Sequence, residues 1–181
     1  AAGFCMLESG LVTTKSVSTI AAKNIGKFAI CSLVFFFFGY NMAYGIAEGG
    51  YIGSFLMWGD SSKIGTGYSD HSDWFFQTMF VCATVSIVSG AVAERIKIWP
   101  FFIFAFLMSG FIYPISMGWQ WGGGWLAVSG FSDFAGSTLV HACGGAAALA
   151  GVMVLGAREG RFTKSGEPKT LEPFAASSIP L

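Results

Sequence analysis

Four stretches of this chain are long and apolar enough to demand a bilayer around them. They cover about residues 28–47, 74–93, 98–118 and 134–157, each close to the roughly 20 residues needed to cross the hydrocarbon. Residues 1–12 read as the exit of a further helix already under way. Such runs would also suit a very greasy soluble core. Yet only 11% of the 181 residues are charged, against about 25% in a soluble domain. The expected class is therefore an all-α integral membrane protein with about five transmembrane helices, the first one partial. Ten acids balance ten bases, so no charge excess calls for nucleic acid. The cysteines Cys5, Cys31, Cys82 and Cys143 lie far apart with no CxxC pair. Buried free thiols are expected, with no metal site and no disulfide framework.

The charges between the runs give an orientation. Lys15, Lys23 and Lys27 read as a first loop. Arg95 and Lys97 fill a short turn, and Arg158, Arg161, Lys164 and Lys169 follow the last run. If each run crosses once, these regions share one side, with Lys63 alone opposite. The positive-inside rule makes that side cytoplasmic. The chain then starts outside and ends inside, in a cell membrane crossed several times.

The outer loops have another character. Residues 48–73 are Gly-rich and acidic, with Glu48, Asp60, Asp70 and Asp73 against one lysine, and His71 reads as solvated. The second outer loop, WQWGGGWLAVSGFS, flanks a triple glycine with three tryptophans. Tryptophans are ordinary at a membrane interface. The glycines, however, permit a close backbone re-entry that would set Trp121 over the mouth of the bundle. Pro114 predicts a kink or an end to the third run near the outer surface, leading into this loop. In the second run, Phe76 and Phe80 are four apart and stack on one helical face. Asn41 is expected to bond to a neighbouring helix.

The last run is the most informative. Asp133 stands at its outer edge, where a carboxylate can accept from first-turn N–H groups and meet the positive end of the helix dipole. His141 lies eight residues further, about 12 Å down the axis. At α-helical spacing it shares a face with Gly144, Gly145 and Ala148 and is expected to point into the bundle. A polar group facing the interior at membrane depth is a candidate functional residue, able to line a path for a small polar molecule or relay a proton. A histidine bonded across two helices is the plainer alternative.

Four segments together resemble the ammonium transporter family (Amt/Mep, distantly related to Rhesus proteins). They are GFCMLESGLV, FFQTMFVCATVSIVSGAVAER, YPISMGWQWGGGWL and DFAGSTLVHACGGAAALAGVMVLGAREGR, in the family's order and across nearly the whole chain. The family's Lys-Asn after the first helix reads Lys15-Ser16 here, and Gly118 stands where many members have a polar or aromatic residue.

The resemblance implies an inverted-repeat fold of about eleven helices, with the pore between two halves. The present chain would be the N-terminal half, a fragment that does not conduct alone. The implied activity is transmembrane ammonium/ammonia transport. Phe80 would be one of two stacked gate phenylalanines, Trp121 and Phe76 would wall the outer recruitment site with Phe80, and His141 would be one of two pore histidines. Asp133 would be the acid that supports the site without touching the ion. The family also implies a homotrimer in the lipid bilayer, a PII-type regulatory protein at the cytoplasmic face, and no cofactor. The alternative is an ammonium sensor of the same fold. An enzyme is not expected, since the chain lacks a nucleophile–base set, a metal cluster and a cofactor loop.

Overall fold

A computed structural model describes residues 1–57, 67–158, 161–163, 165–169 and 176–178. Asp60, Lys63 and Lys164, which entered the charge count, lie outside the described residues. Six helical elements follow in order: α1 (Ala2–Leu11), α2 (Thr14–Tyr44), α3 (Asp70–Ala91), α4 (Ile98–Gly118), a short α5 (Trp125–Val128) and α6 (Ser137–Leu155). Among the described residues there is no β-strand, only an isolated bridge between Phe162 and Pro168. α2, α3, α4 and α6 are each long and apolar enough to cross a membrane.

The core lies where α2, α3 and α4 meet. Phe35, Val81, Val85, Phe101, Met108 and Met117 are fully or almost fully buried there, and α6 closes over α3 with Val140 and Ala148. Outward faces are also apolar. Val154, Met153 and Trp99 are 86%, 76% and 73% exposed, an arrangement suited to lipid or to further helices but not to water. Cys31 and Cys82 are buried in this core, and all four cysteines are free thiols.

Three of the crossing helices contain a π-helical segment: Phe35–Gly39 in α2, Met108–Ile112 in α4 and Ser137–Ala142 at the start of α6. The second has a visible cause. Pro114 lacks an N–H and would clash with an α-helical carbonyl behind it; the wider turn just before it absorbs both problems. The helix therefore continues past Pro114 to Gly118, rather than breaking at the proline.

Two other boundaries differ from expectation. α2 starts at Thr14, about a dozen residues before residue 28, so Lys23 and Lys27 are helical and buried rather than part of a loop. The hydropathy window stopped at these charges because it cannot see that they are paired with another helix. α3 likewise begins at Asp70, with Ser69 capping it by accepting from the Ser72 N–H. Asp70 and Asp73 thus belong to a helix, not to the outer loop, and both are buried.

The outer loops lock together through backbone. Gly49 N–H donates to Gly123 O at 3.0 Å, Trp125 N–H to Gly50 O at 3.1 Å, and the Trp119 indole to Tyr51 O at 2.7 Å. Gly122 sits where a β-carbon would lie 2.0 Å from Ala43 O. No side chain fits there without moving the backbone that carries Trp121. Gly122→Ala is therefore expected to destabilise by about 1–3 kcal/mol, read as a lower thermal midpoint of the purified protein. An unchanged midpoint would mean that the loop has room to shift.

Between α3 and α4, Glu94 adopts the left-handed conformation with φ 62°. It accepts from Thr13 N–H at 3.1 Å and Thr13 Oγ1 at 2.7 Å, and approaches Arg158 at 3.8 Å. Partial burial pushes its carboxyl up, but the Thr13 and Ser16 hydrogen bonds and the Arg158 charge outweigh that and hold it below the ordinary glutamate value.

Candidate functional site

The site is built outward from Asp133, 7% exposed at the entrance to α6. One carboxylate oxygen accepts from the N–H groups of Gly136 (2.8 Å) and Ser137 (3.1 Å), the other from Thr138 (2.8 Å) and Leu139 (2.9 Å). One side chain thus satisfies four of the donors that a helix start leaves open. Gly136, at φ 91°, makes the turn that brings the chain round under the carboxylate. Burial raises the carboxyl pKa, but the backbone bonds from Leu139, Thr138, Gly136 and Ser137 prevail and keep it below the ordinary aspartate value.

The same residue ties down the tryptophan loop. The Trp121 indole N–H donates to the Asp133 carbonyl at 2.7 Å. This holds the ring edge-on to Phe80, with centroids 5.6 Å apart, and Phe80 in turn meets Phe76 edge-on at 5.1 Å. Phe76, Phe80 and Trp121 line a pocket of about 540 Å³ together with Tyr44, Tyr68, Asp73, Gln77 and Phe134. Phe76 is itself 57% exposed at its rim. Aromatic walls with inward π-faces attract cations, and a volume of this order holds a small ligand with water to spare.

His141 is placed differently from expectation. It lies on the open face of α6 and is exposed, as is Gly145, whereas Gly144 and Ala148 are buried against α3. The His141 N–H bonds to Gly136 O, five residues back, at 3.0 Å. Beyond it the helix is α-helical, and His141 shares its exposed face with Gly145 at i+4. His141 and the Phe80–Trp121 pair therefore belong to adjoining elements, but the described residues do not enclose the imidazole.

Several polar residues of the site escaped the sequence reading. Asp73 accepts from the Tyr40 hydroxyl at 2.8 Å and is also bonded by Tyr44. Gln77 donates from Nε2 to the Tyr44 hydroxyl at 2.7 Å. A signal for this was present. Asp73, Phe76, Gln77 and Phe80 fall at i, i+3, i+4 and i+7, the repeat of one helical face, but the acid was counted as loop.

A second polar cluster lies away from the pocket. Glu8, Lys23 and Lys27 are 6%, 3% and 0% exposed. Lys23 reaches Glu8 at 3.3 Å, donates to Ser89 O at 3.1 Å, and lies 5.0 Å from the Phe101 ring centre. Lys27 donates to Asn24 Oδ1 at 2.6 Å and Ser86 Oγ at 2.5 Å. Glu8 further accepts from Ser89 Oγ at 2.7 Å. These bonds join α1, α2 and α3 among residues that are almost fully buried.

The fold and pocket define a helical, multi-pass membrane protein with an aromatic-lined pocket. The chain belongs to the Ammonium Transporter Family, whose profile matches residues 1–180. The ammonium transporter Amt2 of Archaeoglobus fulgidus is 39% identical over 182 residues, which cover 94% of this chain and 38% of that protein. Among solved structures, a protein titled Sensor Amt Protein superposes with a TM-score of 0.88 at 32% identity, over 99% of this chain and 45% of the other. Mep2 of Saccharomyces cerevisiae follows at a TM-score of 0.74 and 27% identity, over 92% and 39%. The chain spans 34% to 39% of the length of the curated relatives it matches.

Proposed function

We propose that this chain is the N-terminal half of an ammonium transporter, whose outer pocket recruits ammonium and passes ammonia inward. The observation that carries this is the Phe76–Phe80–Trp121 wall, fixed by the bond from Trp121 to Asp133. Ammonium is a compact cation, and each well-placed ring contributes roughly 0.5–2 kcal/mol to holding it. Moving the bare ion further into hydrocarbon would cost far more. The ion therefore gives up its proton near the pocket, and ammonia moves past Phe80 toward His141. The proton either returns outside or travels separately along the histidine.

In this reading Phe80 is the gate, His141 a pore residue and Asp133 the acid that shapes the site without contacting the ion. The open face of α6 that carries His141 is where the second half of the pore packs. The protein sits in the cell membrane with its N-terminal side outside, consistent with Arg95, Lys97, Arg158 and Arg161 gathering at one end. Homotrimeric assembly and a PII-type partner at that basic end follow from the family alone.

The test uses a chain extended to the length of its relatives by the C-terminal part of the Archaeoglobus protein. Reconstituted in liposomes, it should give ammonium-dependent current or uptake. His141→Ala should reduce or decouple that current by about tenfold or more, and Phe80→Ala should alter flux and its selectivity over methylammonium. Unchanged currents in both variants would remove the pore assignment. Ammonium binding with no flux in the parent protein would instead favour the sensor.

A further inference from the structure

The aromatic pocket has a polar wall that the cation–π account does not use. Asp73 and Gln77 line it from α3, one turn apart, and Tyr44 lines it from α2. Asp73 is 8% and Gln77 7% exposed. The Asp73 carboxylate is braced by the Tyr40 hydroxyl at 2.8 Å and by Tyr44. Gln77 gives its amide N–H to Tyr44 at 2.7 Å, while its buried Oε1 has no hydrogen-bond partner. A buried acceptor without a donor is costly. Gln77 shares this wall with Asp73, one turn away, in a pocket that a small donor-rich guest can enter.

We propose that Asp73 is the charge-selecting residue of the outer pocket, with Gln77 as a neighbouring acceptor. The guests are small primary ammonium ions, which bring both a positive charge and several N–H donors. The rings of Phe76, Phe80 and Trp121 supply attraction that depends weakly on hydrogen-bond direction. The carboxylate supplies a full opposite charge in a partly desolvated place, where it acts over a longer range than a ring quadrupole. The two tyrosines hold that carboxylate at the wall without neutralising it, since both are donors. Asp73 thus raises the local cation concentration and disfavours neutral amines and anions, ahead of the Phe80 constriction. This inference rests on the reading of the pocket as a recruitment site.

The competing duty for Asp73 is structural: an acid in the first turn of α3 that meets the helix dipole and staples α2 through Tyr40. Two substitutions separate the duties. Asp73→Asn removes the charge but keeps an oxygen for Tyr40. Tyr40→Phe removes that bond but keeps the charge and the ring. The measurement is ammonium chloride binding to the purified extended protein by titration calorimetry, against sodium chloride at equal ionic strength. Asp73→Asn should weaken binding by about five- to tenfold, Asp73→Glu should restore most of it, and Tyr40→Phe should not weaken it. Asp70→Asn, on the same turn but outside the pocket lining, should change it less than about twofold.

Equal affinity of Asp73→Asn and the parent would overturn the proposal. So would equal losses in Asp73→Asn and Tyr40→Phe, which would mark bracing alone. Because the readout is binding, a parent protein that binds ammonium but moves none would defeat transport while leaving the role of Asp73 standing. A parent protein that does not bind ammonium at all would defeat both.

Discussion

Asp133→Asn is expected to melt the outer end of α6 and to cost the protein about 2–4 kcal/mol. The carboxylate serves four backbone N–H groups, two on each oxygen, at 2.8–3.1 Å. An amide has one oxygen. Its NH₂ would face the other two N–H groups, donor against donor, in a place that is almost fully buried. The near-isosteric change should therefore be no milder than Asp133→Ala, contrary to the usual ranking of such substitutions. Hydrogen exchange at residues 136–139 and the thermal midpoint both read this. A midpoint loss no larger than that of a surface change, within about 0.5 kcal/mol, would show that the N–H groups find other acceptors. Acid should act in the same direction. The folded carboxyl titrates below the ordinary aspartate value of 3.8, so its stabilisation is complete above that value. It is lost as pH falls through the lowered one. Because the Trp121 indole bonds to the Asp133 carbonyl, the proposed recruitment of ammonium should weaken along with stability.

Glu8→Gln should do comparable damage at the other end. Glu8 is the carboxylate that faces Lys23 across 3.3 Å, where both side chains are almost fully buried. Breaking one side of a buried pair costs about 3–5 kcal/mol, much of it from the charge left behind. Lys27, which donates to the oxygens of Asn24 and Ser86, is itself a cation and adds to the positive charge that Glu8 offsets. The expected readout is a sharp loss of folded protein in the membrane fraction. Glu8→Gln with Lys23→Met should recover much of that loss, since neither charge then remains to be paired. If the double variant is as poor as the sum of the single ones, the pair is not the source of the stability.

The long apolar runs were legible because hydrocarbon thickness imposes a length that sequence shows directly. The run over residues 98–118 has the bounds of α4. The nearness of Trp121 to the pocket was legible in part, from a triple glycine in which Gly122 and Gly124 permit close backbone approach and Gly123 takes a φ of 82°. The lysines were not. Lys23 meets Glu8 on the preceding helix and a carbonyl 66 residues away, and a window that sums local hydropathy scores such a lysine as solvated. His141 is exposed with Gly145 on the open face of α6, and what would cover that face cannot be read from the described residues. The π turn before it, whose bond runs five residues back, is announced by no residue type in STLVHA. Asp73 was visible as an acid, but its role depends on Tyr40 and Tyr44, which lie on another helix.

The π turns have an angular consequence. Each adds a residue to its helix, and one residue is worth about 100° of rotation. Whatever lies beyond the turn is therefore aimed independently of what lies before it. In α2, the stretch before Phe35 turns Lys23 and Lys27 toward Glu8 and Ser86, while the stretch after Gly39 turns Tyr40 and Tyr44 toward Asp73. A straight α-helix of the same residues could satisfy one of these azimuths but not both. Deleting a single residue within FFFFG would leave the inner cluster in place and swing both tyrosines away from the pocket. The segment thus works as a fixed offset between two sights on one rod.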